Sequence, residues 1–136
     1  MYDELVAGRV YFGGADDTEL VVREKDVDKV IDVRVNGRLE KVDYTYIHKP
    51  IADESEHIAD SIKAGVEEVV KAYEAGEKVY FHCGSGSGRA GVMAVATLLE
   101  LGMAKSLEEA EALTKEARPK VTIRPNMREA LEQLYK

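Results

Sequence analysis

From Ala90 to Leu101 nearly every residue is apolar, and a helix drawn through the stretch shows almost no polar face. Such a helix belongs at the centre of a domain, covered on all sides. It cannot cross a bilayer, because spanning takes about 20 apolar residues and this run has about half of that. Just before it, Lys78 to His82 forms a compact apolar run through Val79-Tyr-Phe, which reads as a strand buried on both faces. Gly84-Ser-Gly-Ser-Gly joins the two. A core strand, a glycine turn and a core helix in succession leave few architectures open. With 136 residues the chain has room for one domain, 1–136, around that core.

The remaining elements complete the pattern. Gly8-Arg-Val-Tyr-Phe-Gly-Gly is a short strand stopped by Gly13-Gly14. Val27 to Val35 holds the run Val30-Ile-Asp-Val, ended by the turn residues Asn36-Gly37, and Tyr44 to His48 is a third strand broken at Pro50. Ile58, Ile62, Val66, Val69, Val70 and Tyr73 recur at helical steps until Gly76. Ser106 and Glu109 make a capping box for a helix ending near Ala117. Pro119 and Pro125 bracket an extended link, and Asn126 opens a last helix. Strands alternating with helices predict an α/β fold with a mostly parallel, twisted sheet of four to five strands flanked by helices.

Composition excludes several function classes. Nineteen basic against 26 acidic side chains give a net charge of −7, which argues against nucleic acid or membrane as partner. A single cysteine excludes a disulfide scaffold and a Cys-rich zinc site. The first residues, Met1-Tyr-Asp-Glu-Leu, have no secretory pattern, so the expected setting is cytoplasmic.

Chemistry concentrates in Val79-Tyr-Phe-His-Cys-Gly-Ser-Gly-Ser-Gly-Arg-Ala-Gly. In open α/β sheets ligands bind at the carboxyl edge of the strands, and Cys83 lies at that edge. The glycines let the loop Gly84, Ser85, Gly86, Ser87, Gly88 curl so that backbone N–H groups face inward as an anion nest. The helix N-terminus adds open N–H groups and a partial positive charge, and Arg89 offers a planar fork to two phosphate oxygens. Together these favour the thiolate form of Cys83, a nucleophile aimed at phosphorus. The same residues admit plainer roles: Cys83 as an inert buried thiol, Arg89 as partner to a surface carboxylate. Gly86-x-Gly88-x-x-Gly91 also matches a dinucleotide fingerprint, but a helix follows where a strand ending in a ribose-binding acid is needed.

His82-Cys83, five residues and then Arg89, with Gly86 and Gly88 between, resembles the signature of the cysteine-dependent protein tyrosine phosphatase superfamily. Val10-Tyr-Phe-Gly-Gly, Val30-Ile-Asp-Val-Arg and Arg124-Pro-Asn look like its small dual-specificity branch. The resemblance implies hydrolysis of phosphotyrosine, with phosphoserine and phosphothreonine as further monoesters, through a phosphocysteine intermediate. Cys83 is then the nucleophile, Arg89 the phosphate clamp and His82 a supporting residue that orients the cysteine. Pro50-Ile-Ala-Asp looks like the family's acid loop, with Asp53 as general acid. Asp53 with Glu56 equally fits a helix capping box. Glu54 is the substitute acid and His57 a weaker one. No cofactor or metal is implied, and the expected partner is a phosphorylated protein or peptide.

Two positions depart from the family pattern. Ala90 stands where a Ser or Thr usually helps the thiolate leave, which suggests slow breakdown of the intermediate. Asn126 resembles a supporting asparagine near the site but equally fits a helix N-cap. Arg118, Lys120 and Arg124 either line the rim of the pocket or offset nearby acids. Two alternative functions remain: a phosphate-binding pseudophosphatase with little turnover, and a phosphatase for a small phosphometabolite or phosphoinositide. The absence of lysine or a second arginine inside the loop argues against the inositides.

Overall fold

The computed structural model describes the backbone of residues 1–136 and every side chain except that of Ser55. The chain opens with β1 (Asp3–Val6) and β2 (Val10–Gly14), then a 3-10 turn (Ala15–Asp17) and α1 (Thr18–Lys25). β3 (Lys29–Asp32), β4 (Thr45–His48), α2 (Ser55–Glu74) and β5 (Val79–Cys83) follow. α3 (Arg89–Glu100), α4 (Leu107–Ala117) and α5 (Pro125–Tyr135) close it. One five-stranded sheet runs in the order β1-β2-β5-β3-β4. Only β1 is antiparallel to its neighbour; the other pairs are parallel, as the alternation of strands and helices predicts.

β5 lies at the middle, and every residue of β2 and β5 is buried. Strand alternation divides these side chains between two faces. Val10, Phe12, Ile31, Val79 and Phe81 join the large core under α2 to α5, whereas Tyr11, Val30 and Tyr80 pack on the α1 side with Val21 and Val27. Phe12 and Phe81 lie opposite in register with ring centroids 5.7 Å apart. α3 packs against α2, α4, α5 and β5, and nine of its residues are buried. That position satisfies a helix apolar all round. No helix among the described residues is long and apolar enough to cross a membrane.

Several boundaries differ from the sequence expectations. The strand expected over Val27 to Val35 ends at Asp32, because the Asp32 carboxylate accepts from the Arg34 amide at 3.0 Å and turns the chain. The last helix begins at Pro125, with Arg124 as N-cap, so Asn126 does not open it; proline suits that first position, where its missing N–H costs nothing. Ser106 does cap α4, accepting from the Glu109 amide at 3.1 Å, while the Glu109 carboxylate reaches back to the Lys105 amide. β1 and α1 have no counterpart in the sequence reading. In α1 only Val21 among the apolar residues is buried, and β1 is a half-exposed edge strand, so neither carries a strong apolar period.

Phe81→Ala removes the largest ring in β5 that faces the helices and is expected to cost about 3–5 kcal/mol. A lower urea midpoint at unchanged slope is the outcome to look for.

Candidate active site

The parallel register brings Gly14, Cys83 and Asp32 to one edge of the sheet. Leaving β5 at Cys83, the chain makes the glycine loop and enters α3 at Arg89. Loop direction can be read from the fate of its carbonyls. Gly84 O accepts from the Ala15 amide at 3.0 Å, Ser87 O from the Thr122 amide at 2.8 Å and Gly88 O from the Val92 amide at 3.1 Å. Ser85 O and Gly86 O accept from the Arg118 guanidinium at 2.9 and 2.8 Å. All five carbonyls therefore point away from the cavity. A peptide plane that turns its oxygen out turns its N–H in. The Gly86 amide donates to Cys83 Sγ at 3.2 Å, and the amides of Ser85, Ser87 and Gly88 have no partner among the described residues. Gly88 is the N-cap of α3 and no side chain caps the helix, which leaves its first amides open as well.

The loop needs its glycines. Gly86 is left-handed at φ 79°, and a Cβ there would stand 2.4 Å from the backbone carbon of Gly13. A Cβ on Gly14 would meet Gly84 O at 2.8 Å. Gly13-Gly14 is thus more than a strand stop: it is the floor on which the phosphate loop rests. The Tyr80 hydroxyl holds that floor by donating to Gly14 O at 2.6 Å, and burial raises the Tyr80 phenol well above its usual range, so it remains a donor.

Cys83 is 5% exposed at the bottom of an open cavity of about 370 Å³ lined by Gly84, Ser85, Ser87, Gly88, Arg89, Thr122 and Arg124. Arg89 faces the acid loop: its Nε donates to Ile51 O at 2.8 Å and its Nη2 pairs with the Asp53 carboxylate. The arginine does pair with a carboxylate, and the carboxylate is the candidate acid. Asp53 forms no capping box with Glu56, since the N-cap of α2 is Glu54 and no side chain caps it. Ser61 Oγ steadies the acid loop by accepting from the Ala52 amide at 3.0 Å. Glu54, the alternative acid, lies with Glu56 and His57 in an exposed group and, like Asp53, lines none of the Cys83 cavity; unlike Asp53 it has no bond to Arg89.

Behind the loop His82 is 1% exposed, with Nδ1 3.1 Å from Cys83 O and 3.8 Å from the buried Asp32 carboxylate. Tyr46 and Arg34 donate to Asp32 at 2.6 and 2.8 Å. Burial lowers the His82 pKa, outweighing the attraction of Asp32. Burial also acts to raise the Asp32 carboxyl, but the Arg34, Tyr46 and backbone hydrogen bonds together lower it. Burial therefore favours the neutral form of His82 in the fold.

The closing segment departs from expectation. Arg118 does not line the rim: it is 4% exposed, beneath the loop, and its Nη1 pairs with the partly exposed Asp3 carboxylate at 2.7 Å. Lys120 is exposed and lines no part of the cavity, whereas Arg124 does line it and pairs with no carboxylate among the described residues. Asn126 lies outside the cavity lining, its Oδ1 accepting from the Met127 amide at 2.9 Å. Ala90 is fully buried, and the loop hydroxyls of Ser85 and Ser87 bond to each other at 2.7 Å. Thr122 was not singled out in the sequence; nothing in an extended link between two prolines marks it. Asp32 had a signal, a carboxylate inside the apolar run Val30-Ile-Asp-Val.

A family model described as the dual specificity phosphatase catalytic domain matches residues 10–136. Among solved structures, DUSP15 superposes with a TM-score of 0.84 at 19% identity, covering 98% of this chain and 86% of that one. Human DUSP28 gives 0.82 at 18%, with 97% and 90% covered. PTPMT1 in complex with PI(5)P gives 0.79 at 23%, with 97% and 92% covered. Likeness at these identities speaks for the fold. Among curated proteins none matches the chain.

The neutral His82 has a consequence in acid. Below about 6.5 the unfolded chain takes up a proton at His82 that the folded state refuses, so stability falls as pH drops. Protonation of Asp32 extends the loss below the ordinary carboxyl range. Urea unfolding between pH 7 and 5 should show stability declining as pH falls, and His82→Gln should flatten that decline.

Proposed function

This chain belongs to the dual specificity phosphatase catalytic-domain family, and on that premise we propose that it hydrolyses phosphotyrosine, with phosphoserine and phosphothreonine as further substrates. One observation carries the reading: all five loop carbonyls face outward around a thiol that accepts a hydrogen bond from within. A ring of inward amides above a cysteine is complementary to three equatorial phosphate oxygens with the phosphorus facing sulfur.

In the first step the Cys83 thiolate forms a bond to phosphorus as the ester oxygen departs. The loop amides and Arg89 hold the charge on the equatorial oxygens, and Asp53 gives its proton to the leaving oxygen. Contact between Arg89 and Asp53 supports the choice of acid, because it ties that carboxyl to the residue that would clamp the phosphate. In the second step water attacks the phosphocysteine, Asp53 takes its proton, and inorganic phosphate and the thiolate are released. His82 is the supporting residue in this scheme, and it calls for no metal or cofactor.

Hydrolysis of an aryl phosphate tests the roles. Cys83→Ser should abolish turnover, Arg89→Ala should weaken phosphate affinity and rate together, and Asp53→Asn should lower kcat by about 10²–10⁴-fold. A Cys83→Ser chain that still turns over would overturn the reading.

A second substrate reading has its own observation. Arg124 brings a cation without a carboxylate partner into the cavity lining, which the loop interior lacks, and PTPMT1 is a fold neighbour solved with PI(5)P. Higher kcat/KM on a soluble phosphoinositide than on a phosphotyrosyl peptide, lost in Arg124→Gln, would move the assignment to that class.

The buried methyl of Ala90 offers no hydroxyl to the departing thiolate. Rapid-quench kinetics should therefore show a burst of phenol followed by slow turnover. Ala90→Ser should raise turnover and shrink the burst; no change in either would count against slow breakdown of the intermediate, and absence of turnover would favour the pseudophosphatase.

A further inference from the structure

Three of the five outward carbonyls are held by backbone amides, the other two by one side chain. Arg118 follows α4 directly, with extended backbone, and its side chain passes beneath the loop with 4% exposed. Every guanidinium nitrogen is used: Nε donates to Gly86 O at 2.8 Å, Nη2 to Ser85 O at 2.9 Å, and Nη1 to Asp3 Oδ2 at 2.7 Å and to Met1 O. Only a rigid planar fork can take two successive carbonyls and a carboxylate at once.

Those two carbonyls matter for what lies on the other side of their peptide planes. Holding Ser85 O outward turns the Gly86 N–H inward, and that N–H is the one bonded to Cys83 Sγ at 3.2 Å. Holding Gly86 O outward turns the Ser87 N–H into the cavity. Gly86 itself, left-handed and without a side chain, gives this part of the loop little resistance to a peptide flip. A flip would set a carbonyl oxygen against the phosphate dianion.

We propose that Arg118 is the positioning residue of the phosphate loop: it fixes the orientation of the two peptides that supply the thiol's hydrogen bond and one phosphate donor, with Asp3 of β1 as its charge partner. The proposal rests on the phosphatase reading above. It also assigns a duty to the edge strand β1, which brings no residue to the cavity.

The test uses the full chain as wild type, Arg118→Ala, Arg118→Lys and Asp3→Asn. Tungstate affinity by calorimetry reads the loop without requiring turnover, aryl phosphate kinetics read catalysis, and thermal unfolding reads the fold. Wild type should bind tungstate. Arg118→Ala and Arg118→Lys should bind it roughly 10- to 100-fold more weakly, with kcat/KM falling in parallel. Lysine keeps the charge beside Asp3 but cannot hold both carbonyls. Guanidinium chloride at a non-denaturing concentration should restore tungstate binding to the alanine variant, whose vacated space it fits, and leave the lysine variant unchanged. Asp3→Asn should show a smaller loss. If the alanine variant does not fold, the lysine variant decides. Folded Arg118 variants with wild-type tungstate affinity overturn the proposal alone, while a wild type that binds no tungstate overturns the phosphatase reading and this proposal with it.

Discussion

A loop of peptide units can gather negative charge only when its own oxygens are taken up elsewhere. Here that task falls on four separate pieces of the fold: the Ala15 turn after β2, the first turn of α3, the Thr122 link and the Arg118 side chain. Of these donors only the Thr122 amide belongs to a residue that also lines the cavity, yet each decides which way a peptide faces. Since the peptide unit is planar, orienting the acceptor orients the donor, and catalytic geometry becomes a matter of tertiary hydrogen bonding. The glycines allow the loop to adopt the shape, and the surrounding donors keep it there.

The same economy appears behind the loop, where the buried Asp32 and His82 join the half-buried Tyr46 and Arg34 in one polar group. Of its buried polar atoms only His82 Nε2 has no hydrogen-bond partner among the described residues. Burial lowers the His82 pKa and outweighs the pull of Asp32, whose charge is already met by Arg34, Tyr46 and a backbone amide. The site thus rests on a firm polar base on the α1 side of the sheet and an apolar one beneath α2 to α5.

Where structure follows from local pattern, the chain could be read directly. The run Val79-Tyr-Phe, the glycine turn and the apolar helix after it have a single sensible arrangement, and they place Cys83 and Arg89 without further information. α2 and α4 carry helical periods and stops that leave their cores unambiguous. For Arg118 the pairing with an acid, Asp3, was within reach but the burial was not, because an arginine beside a proline in a charged tail looks like surface; only the packing of the link against the loop buries it. Asp53 had two sensible roles in the sequence, and the partner that distinguishes them, Arg89, is 36 residues away. α1 and β1 are held by contacts to other elements more than by their own pattern, and a weak period cannot announce them.

Arg89 is occupied before any ligand arrives, with Nε on Ile51 O and Nη2 on Asp53. An incoming anion therefore binds by exchange. The hold it displays is a difference between its own grip on the guanidinium and that of a carboxylate tethered a few ångströms away, present at high effective concentration. Singly charged visitors compete poorly on those terms, whereas a phosphate dianion brings more charge and two oxygens to the same fork. The exchange also leaves something behind: as the dianion seats itself, the Asp53 carboxyl group is set loose from its guanidinium.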